Sequence, residues 1–221
     1  MRIIARIHNA YDEKFGVPRQ SGLANEVLSE IVFEKEYRVD EALRGIEDFS
    51  HLWLIWAFDR TEREEWSPTV RPPRLGGNRR VGVFATRSPF RPNAIGLSCV
   101  RLVGKEKTGE GTVLKVAGAD LMNGTPIYDI KPYLPYADCK PEATGGFTDR
   151  AEKRTVQVDI PTEMSRKLTP EEETALRAVL KEDPRPAYQE DPERVYGFRF
   201  AGKEIRFKVL DGTLTVIDVG P

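Results

Sequence analysis

Residues 51–58 read HLWLIWAF, a run that is apolar on both faces if the chain is extended. At strand length, such a run reads as a central strand covered on both sides. His51, at its start, reads as a satisfied core histidine. Arg2 to Asn9, Leu28 to Phe33, Val81 to Thr86, Ile95 to Val103, Thr112 to Ala117 and Ile127 to Lys131 also have strand length and strand patterning. In Val81–Thr86, Val81, Val83 and Ala85 share one face, and Phe84 is expected to be buried. No long helix separates these segments. Val39 to Phe49 reads as a short helix, capped by Asp40, with Leu43 and Ile46 on one face. Strands without crossover helices pair antiparallel, so a mainly β chain with an antiparallel sheet or barrel is expected up to about residue 140.

The composition shifts near residue 150. Residues 1–140 carry 21 cations and 19 acids, whereas 141–221 carry 13 and 16. Thr169-Pro170-Glu171-Glu172 is a capping box with proline at the first helical position. The helix it opens runs to about Glu182, with Ala175, Leu176, Val179 and Leu180 on the buried face. Alternation through Tyr196–Phe200, Ile205–Val209 and Leu214–Val216, with turns at Gly202 and Asp211-Gly212, then predicts a three-strand meander. The expected organisation is α+β overall: a β-rich domain over 1–145 and a small helix-plus-meander domain over 150–221.

Between Trp66 and Lys105 there is no Asp or Glu, although the chain holds 35 of them against 34 Lys plus Arg. The cations in that run are Arg71, Arg74, Arg79, Arg80, Arg87, Arg91, Arg101 and Lys105. A planar guanidinium fork suits phosphate and stacks on bases, so a net charge of −1 hides a local field suited to a polyanion. Pro72-Pro73 and Pro89 to Pro92 stiffen the segment, and Gly76-Gly77 permits close backbone approach. Stiff loops of this kind are where ligand contacts concentrate.

Several chemistries lack their residues. His8 and His51 are the two histidines, and neither stands in a metal-ligand spacing. There is no GxSxG elbow, no GxxxxGK[ST] loop and no GxGxxG after a strand. Cys99 and Cys139 read as reduced thiols, no apolar run approaches the roughly 20 residues of a membrane span, and the N-terminus lacks a signal-peptide core, so a soluble cytoplasmic protein is expected.

A second constellation spans 118–138, GADLMNGTPIYDIKPYLPYAD. Asn123-Gly124-Thr125-Pro126 is a turn that exposes backbone groups, and Asp129 and Lys131 follow on one face. Together with PRQ at 18–20, RPPRLGG, GVFATRS and FSHLWLIWAF at 49–58, this segment resembles the TrmO (TsaA-like, YaeB) family over residues 1 to about 140. The tail is similar to the smaller C-terminal domain of longer members. The resemblance implies a β-barrel methyltransferase, outside the usual dinucleotide-fold class and acting as a homodimer. Its methyl donor would be S-adenosylmethionine and its target N6 of N6-threonylcarbamoyladenosine in the anticodon loop of tRNA (position 37).

By motif, the implied cofactor pocket falls on Pro18, Arg19, Gln20, Asp59, Arg60, Arg87, Leu97, Asn123, Gly124, Thr125 and Pro126. The family pattern has a histidine-like residue at 59, proline at 94 and aspartate at 123, where this chain has Asp, Ala and Asn. Arg71, Arg74, Arg79, Arg80, Arg91 and Lys131 are the expected RNA contacts. Methyl transfer to a weakly nucleophilic N6 calls for a proton acceptor, and Asp129 and Asp120 are the acids of the second constellation placed for it. Each carboxylate also suits a structural turn or ion pair. No metal is expected. The rival reading is a non-catalytic barrel that binds single-stranded RNA, which would display aromatics among its arginines; a phosphoesterase is weaker for want of clustered metal ligands.

Overall fold

The computed structural model describes residues 1–60, 65–72, 79–150, 155–185 and 191–221. Arg74, Pro73 and Gly76-Gly77 lie outside the described residues. Six strands close into a ring: β1 (Ala5–His8), β2 (Leu28–Phe33), β3 (His51–Ala57), β6 (Ile95–Thr108), β7 (Gly111–Ala117) and β8 (Pro126–Pro132). Around the ring the order is β1-β2-β7-β6-β3-β8, and every neighbouring pair is antiparallel. Two short strands, β4 (Thr69–Val70) and β5 (Val81–Gly82), pair beside it.

Alternation sets which side chains fill the ring. Ile7, Ile31, Leu52, Leu54, Val100, Leu114, Val116 and Ile127 are buried inside it. Each such side chain stabilises the fold by roughly 1.5–3 kcal/mol relative to exposure. β3 is apolar on both sides as its sequence suggests, but the two sides differ. Leu52, Leu54 and Trp56 point inward, while Trp53 lies outside and its Nε1 donates to Asp138 Oδ2 at 3.0 Å. Asp138 ends α1 (Pro135–Asp138), a short helix on the outer wall. His51 is also outside and half-buried, with Nδ1 at 2.9 Å from Ser50 Oγ and its ring edge-on to Tyr133. It is satisfied, but it is not a core residue.

Two local expectations give way to turns. Residues 39–49 form two 3-10 segments, Asp40–Leu43 and Ile46–Asp48, separated by Gly45 at φ 80°. Asp40 does not cap them; its carboxylate accepts from Thr112 Oγ1 at 2.5 Å and pairs with Lys107 at 3.1 Å. The strand expected over 81–86 stops at Gly82, and Val83–Ala85 is a 3-10 turn. Val83 is buried and Phe84 stands 72% exposed, so Phe84 faces out, opposite the buried Val83.

The second half has its own core. A four-stranded sheet runs β10 (Tyr196–Phe200), β11 (Lys203–Leu210), β12 (Thr213–Gly220) and β9 (Gln157–Asp159), with β9 parallel to β12. The meander is present, and β9, three residues long, adds a fourth strand. Beyond β9, α2 (Thr162–Ser165) precedes α3 (Pro170–Lys181). Thr169 Oγ1 accepts from the Glu172 amide while Glu172 Oε2 accepts from the Thr169 amide, completing the capping box. Ala175, Leu176, Val179 and Leu180 are the buried residues of α3. Tyr11, Ala24 and Val27, from the loop between β1 and β2, also belong to this second core.

Candidate functional site

Because the ring is antiparallel throughout, the C-terminal ends of β1, β3 and β7 and the N-terminal ends of β2, β6 and β8 share one rim. Three connections therefore meet there: residues 9–27, 58–94 and 118–125. Apart from Leu97 in β6 and Pro126 at the start of β8, the expected cofactor residues all lie in those connections, and these two sit at the same rim.

The contacts join them. Arg87 Nη1 donates to Gln20 Oε1 at 2.6 Å, linking the second connection to the first. Arg60 Nη2 donates to Asn123 O at 2.9 Å, linking the end of β3 to the turn before β8. That turn is fixed by main-chain bonds: Gly124 N to Ile7 O at 2.7 Å, Asn123 N to Tyr11 O at 2.9 Å and Ile7 N to Thr125 O at 3.2 Å. Gly124 takes φ 82°, a conformation that favours glycine, and a Cβ there would meet Arg60 Nη2 at 3.4 Å. Thr125 and Pro126 are buried, Pro18 is buried, and Arg19, Asp59, Arg60, Arg87 and Leu97 are exposed at the rim.

Asp120 lies among them. Trp56 Nε1 donates to Ser98 Oγ at 2.9 Å, and Ser98 Oγ donates to Asp120 Oδ1 at 2.5 Å. Burial lifts the Asp120 carboxyl above the ordinary aspartate range, against the lowering pull of the Ser98 bond, its own backbone amide, Arg87 and Ser21. Tyr11, whose buried hydroxyl has no hydrogen-bond partner among the described residues, is pushed upward by burial and by the charges of Asp120 and Glu26. Asp129 and Lys131 lie apart. They sit on β8 away from the rim, partly exposed, and pair with each other at 2.9 Å.

The arginine-rich connection is braced from within. Arg91 Nη1 donates to the carbonyls of Thr86 and Ser88 at 2.9 and 3.3 Å, and Thr86 Oγ1 donates to Val83 O at 2.8 Å. Arg71, Arg79 and Arg80 are exposed. The sequence reading missed the aromatic component: Phe84 lies 6.4 Å from Trp66 in a near-parallel stack, and the Arg91 guanidinium stands 5.9 Å from the Phe84 centroid. Trp66 is itself 50% exposed. The signal that could have located Phe84 is the face itself: with Val81 and Val83 inside, Phe84 falls on the outer face. Among the described residues no group of three or more His, Cys, Asp or Glu is placed to hold a metal ion, and no helix is long and apolar enough to cross a membrane.

A closed antiparallel ring whose three rim loops combine arginines, a glycine turn and a buried carboxylate defines a class of β-built ligand-binding domain with a small appended sheet. Residues 6–139 match the tRNA-methyltransferase O N-terminal domain and 153–221 match the TrmO C-terminal domain, so the chain belongs to the TrmO family. It is 41% identical to the Escherichia coli tRNA (adenine(37)-N6)-methyltransferase, covering 99% of this chain and 96% of that one. A crystal structure of TrmO from Pseudomonas aeruginosa superposes with a TM-score of 0.78 at 33% identity, over 99% of this chain and 95% of that one. A Pyrococcus abyssi protein named "Probable S-adenosyl-L-methionine-binding protein" is 36% identical over 67% of this chain and 76% of its own.

Proposed function

We propose that this chain is a cytoplasmic tRNA methyltransferase that moves a methyl group from S-adenosylmethionine to N6 of N6-threonylcarbamoyladenosine at position 37, and that it acts as a homodimer. The observation that carries the reading is the convergence of Gln20, Arg60, Arg87, Asp120 and the Asn123–Pro126 turn at one rim of the ring. On this reading residues 1–145 are the barrel methyltransferase domain and 150–221 the appended one.

The residues suit the donor. Arg87 and Arg60 offer guanidinium groups for its carboxylate, Asp120 offers a counter-charge for a cationic centre, and exposed Leu97 offers an apolar face. The buried Tyr11 hydroxyl, without a partner among the described residues, is a further polar group of this neighbourhood. When bound, S-adenosylmethionine supplies a methyl group on a sulfonium whose S–C bond electrons return to sulfur as the C–N bond forms. The chain's part is mainly positioning. Asp120, held by Ser98 and carrying a raised pKa, accepts the proton that N6 releases. Asp129, neutralised by Lys131 on the outer wall, takes no part in that step. Arg71, Arg79 and Arg80 hold the phosphates of the RNA.

The decisive experiment is transfer of labelled methyl from S-adenosylmethionine to tRNA bearing or lacking the threonylcarbamoyl group. The modified adenosine should be the strongly preferred acceptor, because its carboxylate pairs with a guanidinium at the rim. Equal transfer to both RNAs would remove that anchoring role, and RNA binding without transfer would favour a non-catalytic barrel. Light scattering on the purified chain should give the mass of a dimer.

A further inference from the structure

We propose that the C-terminal sheet is a positioning element of the cofactor pocket, acting by gripping residues 10–19 so that Pro18–Gln20 is presented to Arg87. The proposal rests on the cofactor reading above. The first connection, 9–27, lies between two bodies. On the ring side it is tied at its ends: Asn9 Nδ2 donates to Leu121 O at 2.9 Å, Tyr11 O accepts from Asn123 N, Gln20 accepts from Arg87, and Gly22 N donates to Gly118 O at 2.8 Å.

Between those ends the hold comes from the C-terminal sheet. Tyr11 bridges to Phe200, and Ala201 N donates to Ala10 O at 2.9 Å. The tight turn between β10 and β11, with Ala201 at φ 52° and Gly202 at φ 75°, aims Gly202 N at Asp12 Oδ2 at 2.8 Å. Arg199 N donates to Glu13 Oε1 at 2.5 Å. Phe15 packs among Tyr196, Phe198 and Phe207 with ring centroids 6.1 to 6.4 Å away. Gly16 lies so close to Phe198 that a Cβ there would come within 2.4 Å of the ring. Arg19 Nη2 then donates to Arg185 O at 3.1 Å, and Arg185 is fixed by a bidentate pair with buried Asp183.

The consequence for binding is a matter of populations. A loop that samples its binding shape for only a fraction of the time weakens apparent affinity by that fraction. The carboxylates of Asp12 and Glu13 are the accessible control. They touch the sheet's main chain, lie outside the group of rim residues named for the cofactor, and are only half-buried.

The test uses the full-length chain. Asp12→Ala/Glu13→Ala should raise the Kd for S-adenosylmethionine, measured by calorimetry, roughly tenfold, as expected if the competent fraction falls to about a tenth. KM for tRNA and kcat at saturating cofactor should stay within about twofold of wild type, a split that general loss of structure does not produce. Asp12→Asn/Glu13→Gln, which keeps an acceptor oxygen at each site, should restore affinity. Glu13→Ala alone, with a smaller rise of about threefold expected, keeps the proposal open to test should the double variant fail to fold. Unchanged cofactor affinity in the folded variants overturns it, and so does a raised KM for tRNA with unaltered cofactor binding, which would make the module an RNA-holding one. A wild-type chain that binds no S-adenosylmethionine would instead overturn the cofactor reading.

Discussion

The two flanks of the rim are built by different means. The Asn123–Pro126 turn is an extension of the ring's own ladder: Gly124 N donates to Ile7 O and Ile7 N to Thr125 O across the β1–β8 seam, and Arg6 Nη1 adds a bond to Gly124 O at 3.1 Å. Among the described residues the Pro18–Gln20 segment has no such ladder. Side chains hold it, with Arg19 on Arg185 O and Gln20 on Arg87, and its base is packed into a core made mostly of residues beyond 155. One flank is as rigid as the sheet that carries it, and the other is as rigid as its neighbours allow. A pocket with one fixed and one supported wall can be tuned from the supported side without rebuilding the fold.

The strongest probe of that contrast is Arg87, which reaches the supported wall. Arg87→Ala should weaken S-adenosylmethionine binding by about 1.5–3 kcal/mol, the range of a hydrogen bond to a charged group, as read by calorimetry. Unchanged affinity would take Arg87 out of the pocket and break the link between the two flanks.

A comparable effect is expected where the arginine-rich connection meets RNA. Phe84→Ala should weaken single-stranded RNA binding by about 1–3 kcal/mol, the range for removing a base-stacking aromatic, without altering the salt dependence. Arg71→Ala/Arg79→Ala/Arg80→Ala should instead flatten the slope of log K against log salt by about 0.7 for each phosphate that is no longer neutralised. Binding titrations across a salt series separate the two. An unaltered slope in the triple variant would show that these arginines do not carry the RNA.

A smaller effect tests the fixed flank. Gly124→Ala places a Cβ on a residue at φ 82° and should cost about 1–2 kcal/mol of stability by chemical denaturation. Cofactor affinity in the surviving folded fraction should change little if the ladder sets the turn. A large drop in affinity with little drop in stability would mean that this flank is as adjustable as the other.

The smallest effect is in pH. Asp120 has a raised folded-state pKa, so its ionisation opposes folding: it is harmless below the ordinary aspartate value and destabilising once pH rises through the folded value. Asp120→Asn should therefore gain on wild type at neutral pH, and the gap should close as the solution is acidified towards the ordinary aspartate value. Denaturation midpoints at several pH values check it; a gap that widens in acid would mean the carboxylate is held ionised.

The parts of this molecule written in local patterns were readable in the chain. The capping box at Thr169 and the buried stripe of α3 follow from a period of 3.6, and the strand at 51–57 from its unbroken apolar run. The proposed cofactor residues could be named only through family motifs. What placed them together is strand direction around a closed ring, a property of pairing rather than of any one segment. Phe84 was misjudged because it was assigned to the core although Val81 and Val83 already occupied the inner face, which leaves Phe84 on the outer one. Two further features needed distant partners: the share of Tyr11 in the second core and the fourth strand at 157–159.

The ring is closed, but its joints are unequal. β1 meets β8 through only two register pairs, Ala5 with Ile127 and Arg6 with Pro126, whereas β3 and β6 run together over seven. The short joint is prolonged by the bonds of the Gly124 turn, so the clasp of the ring and one wall of the proposed pocket are the same few residues. A ligand seated against that wall acts as a latch. At a hundred times its Kd it adds about 2.7 kcal/mol to the work of unfolding, provided it binds only the folded chain. Hydrogen exchange at the Ile4, Ile7 and Gly124 amides is where this stiffening registers first, because those protons lie across the joint that must part before the ring can open.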